Sequence, residues 1–276
     1  QRRQISVGSQ EKILFHEVIS DPGSEIFFES DYNGYDDKSF LWELPSNWVE
    51  FVFFVDSAGL YEIQIDYFLP GRADQAVVSV QINGETPFME ANRISFLSGY
   101  RDRTDEPIFN TTGDEIAPSQ IPILRWRTHR IKDSLGMYDE PLLFEFKQGK
   151  NVVRFNRIEN PVRIGNVTLV IPVEILSYAE VESGYFENGY EPGLSVIEFQ
   201  AERPVLEKSS STIRGTVNSH LSVEPRSIQF ARINTIGDWR WRKGNQSITW
   251  EFYVSEDGLY NIGIRNLQWW HDGLPV

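Results

Sequence analysis

The 276 residues contain no cysteine. That absence removes disulfides, thiolate nucleophiles and cysteine-ligated metals as means of holding or using this chain. Histidine is scarce as well. His16, His129, His220 and His271 are scattered, and none stands in HExxH spacing. No GxSxG, P-loop or GxGxxG motif occurs. No apolar run approaches the roughly 20 residues that a membrane-spanning helix needs. Positive charge is also in deficit: 26 Lys and Arg stand against 40 Asp and Glu, for a net charge of −14. A chain of that sign repels a phosphate backbone or an anionic membrane. It remains compatible with calcium or a neutral ligand, and nucleic acid is not an expected partner. The first residue is Gln1 rather than Met, which reads as a trimmed start with any signal peptide already removed.

What the sequence does have is alternation. Val49, Phe51, Phe53 and Val55 are apolar at every second position, and Tyr61, Ile63 and Ile65 continue the pattern after Gly59-Leu60. A helix would scatter these side chains, whereas a strand puts them on one face. The phrase "VDSAGLYEIQI" (Val55 to Ile65) returns as "VSEDGLYNIGI" (Val254 to Ile264), and Ile248, Trp250, Phe252 and Val254 repeat the preceding alternation. Each copy reads as a β-hairpin, with Gly59 and Gly258 at positive φ in the turns and Trp250 in a core. Val78, Val80 and Ile82 lead into Asn83-Gly84, a strong tight-turn signal. "LLFEF" and "VVRF" around "KQGKN" predict another hairpin, and "IGNVTLVI" a closing strand.

Short alternating strands with Gly, Asn and Pro turns predict an all-β chain of antiparallel sandwiches. The repeat divides it into a first module over 19–172, a connector over 173–194 with one helical turn near "ILSYAEV", and an incomplete second module over 195–276. A second copy that stops soon after its hairpin predicts a natural protein continuing past Val276. The stretch Asn92 to Glu140 is too long for a structureless loop. It carries Tyr100, Phe109, Trp126 and Met137 and is expected to be ordered against a sheet.

Five of the eight tryptophans fall between Trp239 and Trp270. Trp239 and Trp241 sit in "GDWRWRKG", and Trp126 sits in "LRWRTHRIKD" beside Arg125, Arg127 and Asp133. A flat aromatic face next to charged donors suits a sugar, because the ring stacks on C–H groups while the neighbours bond hydroxyls. Closing the end of a sandwich is the competing use for the same rings, and for Trp269 and Trp270 it is the simpler one. Tyr100, Arg125, Trp126, Arg127, Asp133, Trp239 and Trp241 are therefore the candidate ligand-binding residues. Glu29, Asp31, Glu198 and Glu202, near the first strand of each unit, are candidates for a structural calcium. No other cofactor is expected. Forty carboxylates leave room for a glycosidase pair, but a solvated acidic surface accounts for them more simply, and no enzyme activity is expected.

"ARINTIGDWRWRKGNQSITWEFYVSEDGLYNIGIR" (Ala231 to Arg265) resembles the N-terminal region of large extracellular solute-binding lipoproteins of Gram-positive sugar ABC transporters. "QINGETPFMEANRI" and "PLLFEFKQGKNVVRFNRIENPVRIGNVTLV" resemble that family's preceding module, which looks like a carbohydrate-binding module of the galactose-binding jelly-roll fold. The resemblance implies tandem jelly rolls in an extracellular protein anchored at the cell surface. It also implies oligo- or polysaccharide ligands, and a membrane permease engaged through parts outside these residues. There is no lipid-attachment cysteine and no alternating βαβ pattern here, so transport itself would lie elsewhere. An accessory region of a secreted polysaccharide-degrading enzyme and a purely structural stalk are the alternatives.

Overall fold

The computed structural model describes residues 12–14, 17–22, 26–43, 47–173, 175–203 and 205–266. His16, Trp269, Trp270 and His271 lie outside them. The chain forms two compact units. Of the described residues, the larger takes those up to 173 together with those of 199–251, and the smaller takes 175–198 and 252–266.

In chain order the strands of the larger unit begin with β1 (Lys12–Leu14), β2 (Glu17–Ser20), β3 (Phe28–Ser30), β4 (Lys38–Trp42), β5 (Trp48–Val55), β6 (Gly59–Phe68), β7 (Gln75–Ile82) and β8 (Ile94–Leu97). There follow β9 (Tyr100–Asp102), β10 (Ile108–Phe109), β11 (Glu115–Ile116), β12 (Gln120–Pro122), β13 (Arg127–Arg130), β14 (Leu143–Phe146), β15 (Gly149–Glu159) and β16 (Val162–Val170). The short pieces β17 (Glu207–Lys208), β18 (Gly215–Thr216), β19 (Thr235–Ile236) and β20 (Ile248–Thr249) complete the set. All paired strands are antiparallel.

The fold is an all-β sandwich of a seven-stranded and a five-stranded sheet. In the first, β13, β6, β16, β4 and β3 lie side by side, with β14 also on β6 and β1 on β16. The second runs β2-β5-β15-β7-β8. The alternating residues meet between the sheets. Val49, Phe51, Phe53 and Val55 of β5 join Ile63, Ile65 and Tyr67 of β6, Phe144 and Phe146 of β14, and Val153 and Phe155 of β15 in one buried cluster. A four-stranded sheet, β12-β9-β17-β20, lies beside the sandwich.

Four expectations are corrected here. The strands around Gly59 exist, but β5 and β6 belong to opposite sheets and are not a hairpin; the same holds for β14 and β15. Two successive strands that each carry one apolar face can bury both faces by facing each other across a core, without pairing edges. Gly59 and Gly258 are not among the glycines at positive φ; Asn83 (φ 52°) and Gly84 (φ 86°) do form the tight turn expected there. The second copy of the phrase forms no paired strand after Thr249, apart from a single bridge between Pro192 and Leu259. Its pattern is right, but Ile262 and Ile264 are 87% and 73% exposed. A lone pair of strands without a sheet to cover it is marginal in water. Trp250 is only half-buried, its Nε1 donating to the Ala201 carbonyl at 2.7 Å.

The boundary also differs from a 195–276 module, since 199–251 belongs to the sandwich's compact unit. In the smaller unit the expected helical turn is a full helix, α1 (Tyr178–Glu187). Ser177 and Glu180 form a reciprocal capping box at its start, which satisfies backbone donors that the helix cannot. Leu259 and Gly193 exchange backbone hydrogen bonds with the chain around them, Leu259 N to Glu191 O and Gly193 N to Leu259 O, both 2.9 Å. Gly258 is needed there for close approach, because a Cβ would sit 2.7 Å from Gly193 Cα.

Candidate functional site

The candidate residues do not converge on one place. Trp126 stands just before β13, among groups of the larger sheet's outer face. Its ring stacks on Tyr35, with centroids 4.1 Å apart and planes at 22°, and leans on Phe68. Its Nε1 donates to the Tyr32 carbonyl at 2.8 Å. Tyr35 is itself fixed. Its hydroxyl donates to Asp66 Oδ2 and accepts from the Asn166 amide, both at 2.9 Å. Burial and the Asp66 carboxylate push its pKa well above the ordinary phenol value. Half-buried Trp126 thus has protein partners for its polar atom and one ring face.

Arg125 and Arg127 both pair with Glu207 of β17, Arg127 Nη1 at 2.5 Å from Oε1. Gly99 makes room for this clamp, since a Cβ there would overlap the Arg127 guanidinium and the Glu207 carboxylate. The two arginines therefore serve to tie the 124–130 segment to the later part of the chain. Asp133 is a correction. It is 3% exposed, and its oxygens accept the Leu135 and Met137 amides, which leaves a ligand no access. Tyr100 is buried too, its hydroxyl donating to Asp74 Oδ1. It is one of the residues lining a cavity of about 340 Å³, with Arg72, Arg103 and Gln120.

The expected calcium carboxylates are likewise dispersed. Glu29 accepts from Arg163 Nη2 at 2.8 Å. Asp31 precedes a 3₁₀ turn at φ 57°. Glu198 is exposed in the smaller unit. Glu202 is buried, and that burial pushes its carboxyl pKa up. Among the described residues no group of three or more acidic or histidine side chains is placed to hold a metal ion.

Trp239 and Trp241 are two apart in sequence, which in a strand would put them on one face. The structure separates them. Gly237 (φ 101°) and Asp238 (φ 55°) open a 3₁₀ turn over Asp238–Arg240. Trp241 folds back, its Nε1 donating to the Gln246 carbonyl at 3.1 Å and its ring lying over Gly237. Gln246 closes the loop from the other side, its Oε1 accepting the Arg242 and Lys243 amides at 2.9 Å each. Trp239 instead points outward, 62% exposed, at the wall of a cavity of about 280 Å³. Thr212, Arg214, Arg240, Arg242 and Lys243 share that wall with Gln246.

The basic run after Trp239 was legible in the sequence. Thr212 and Arg214 were not, because they stand some 25 residues earlier and arrive through the pairing of β18 with β19. Both tryptophans are exposed, Trp241 by 41%, but Trp241 has its Nε1 bonded within the loop, and of the two only Trp239 lines the cavity.

No protein-family model matches this sequence, and no curated protein matches it. Solved structures of low identity resemble parts of the chain. A family 35 carbohydrate-binding module of Clostridium thermocellum is 14% identical over 59% of this chain and 98% of its own length, with a TM-score of 0.36. A family 35 module of Cellvibrio japonicus is 14% identical over 60% of this chain and 95% of its own, with a TM-score of 0.32. The GH26–CBM35 β-(1,4)-mannanase of Podospora anserina is 10% identical over 67% of this chain and 37% of its own, with a TM-score of 0.35.

Proposed function

We propose that the chain is a non-catalytic saccharide-recognition region, and that the Trp239 cavity is where it binds. The observation that carries this reading is an exposed indole at the wall of a cavity whose polar lining is hydrogen-bond donors and two short neutral side chains. Such a ring stacks on sugar C–H groups while guanidinium, amide and hydroxyl groups take the hydroxyls. Cleavage of a glycosidic bond needs a pair of carboxyl groups at the reacting centre, and none of the described residues lining this cavity is acidic. The resemblance of Ala231 to Arg265 to extracellular solute-binding lipoproteins supports placing this region in a cell-surface sugar-uptake protein.

One stacked ring contributes about 1 kcal/mol, so single sites bind weakly and gain by repetition along a polymer. The test is affinity electrophoresis and a glycan-array screen of the purified chain. Trp239→Ala is expected to weaken binding about fivefold while leaving the melting temperature unchanged. Trp241→Ala is expected to lower the melting temperature, because it removes the loop's internal bond. Saccharide binding that survives Trp239→Ala unchanged refutes the site.

A further inference from the structure

We propose that the Trp239 cavity selects saccharides that carry anionic groups, carboxylate or sulfate, over neutral ones; this rests on the saccharide reading above. Four cationic side chains, Arg214, Arg240, Arg242 and Lys243, line one cavity. None of the four stands in an ion pair within 4.0 Å of a described carboxylate, whereas eight other basic residues do. Arg240 lies over the Trp239 ring, 4.9 Å from its centroid, and so couples the stacking surface to a positive charge.

The local charge runs against that of the whole. Residues 212–246 hold six basic and two acidic side chains, a net of +4 in a chain of −14. Clustering like charges around a concavity raises its potential and costs folding energy through their mutual repulsion, and a bound anion relieves that repulsion. Neutral hydroxyls do not require it. Guanidinium is the group suited to this task, since its fork of donors matches a carboxylate or a sulfate edge.

The same chemistry could face a nucleic-acid phosphate, but two features oppose an extended strand. Trp239 is the only aromatic side chain among the described residues lining the cavity, so successive bases find no row of rings to stack on. The surrounding chain is strongly acidic and repels a polyanion that extends beyond the pocket.

The experiment compares matched polymers by affinity electrophoresis and calorimetry on the full chain: polygalacturonate against its methyl ester, dextran sulfate against dextran, and a single-stranded oligonucleotide. Binding to polygalacturonate or dextran sulfate, weaker by about tenfold or more for the uncharged counterpart and falling as salt rises, is the expected result. Which of the two charged polymers is preferred identifies carboxylate or sulfate as the group. Arg240→Gln with Arg242→Gln should lower the affinity for the charged polymer about tenfold per arginine, and any neutral binding by a clearly smaller factor, since glutamine keeps a hydrogen-bond donor for a hydroxyl but no charge. Equal binding of charged and neutral partners, lowered to the same extent by the arginine variants and weakened by Trp239→Ala, overturns the anionic selectivity while the saccharide site stands. Loss of all saccharide binding in every arm removes the saccharide reading itself. Tighter binding of the oligonucleotide than of either acidic saccharide overturns the proposal in favour of a phosphate ligand.

Discussion

Replacing Glu207 with alanine tests how the later part of the chain is held to the sandwich. Glu207 is 8% exposed and receives two guanidiniums, from Arg125 and Arg127. These are unequal. The Arg125 side chain is 54% exposed, so its share is that of a surface pair, under about 1 kcal/mol. The Arg127 side chain is 16% exposed, and its Nη2 already lacks a hydrogen-bond partner among the described residues. Truncating Glu207 therefore strands a nearly dry cation, which costs about 3–5 kcal/mol when fully buried. The remaining exposure of Arg127 places the expected loss near the lower end, about 3 kcal/mol. For a unit of this size that corresponds to a fall in melting temperature on the order of 10 °C. Urea unfolding with Arg125→Ala as the companion variant separates the two contributions, and Arg125→Ala should stay within about 1 kcal/mol of the parent. A Glu207→Ala loss no larger than that of Arg125→Ala would refute the clamp.

His129 offers a pH test. It is largely enclosed, edge-on to Tyr67 and Phe96, and burial, helped by Lys132, holds its pKa down to about 4. The unfolded chain takes up that proton near pH 6.5, so the folded state loses stability as pH falls from about 6.5 towards 4 and is unaffected above that window. The loss approaches about 3 kcal/mol at pH 4, and His129→Phe should flatten this part of the stability–pH curve; an unchanged curve would show that His129 titrates normally. Gly165 tests the aromatic cluster. A Cβ there would sit 2.5 Å from the Tyr35 ring and hydroxyl, so Gly165→Ala should displace Tyr35 from Asp66 and reduce the near-ultraviolet circular dichroism of the Tyr35–Trp126 stack, and an unaltered spectrum would mean the ring has room to spare.

Alternation along β5 and β6 was enough to identify both strands and their buried faces, because one face of each is apolar throughout. It could not identify their partners. Period two tells which side of a strand meets the core and says nothing of which edge bonds to which, so β5 and β6 read as a hairpin when they are opposite walls. The repeat misled in the same way. Residues 248–264 carry the pattern of β5 and β6 without the flanking strands that hold those two in place. At the site, composition marked the Trp- and Arg-rich loop. The separate fates of Trp239 and Trp241 depended on positive φ at Gly237 and Asp238, which breaks the period exactly where a strand reading needs it to continue. Asp133 and Tyr100 looked available because nothing in their neighbours announces burial.

The short strand β17 joins two distant stretches of chain. Lys208 meets Asp102 across 106 residues, and Glu207 meets Arg127 across 80. All sandwich strands lie before Ile171. In synthesis from the N-terminus, at about 5–20 residues per second, the sandwich is therefore complete in sequence seconds before β17 has left the ribosome. Over that interval Arg125 and Arg127 lack the carboxylate, and Asp102 the ammonium, that they pair with in the folded chain. Closing so long a loop is entropically slow, and the opposite charges on the two sides favour the correct encounter over its competitors. Chain order and the charged seam together predict a sequence of events, in which the sandwich forms ahead of the segment that carries Trp239 and that segment then docks onto it.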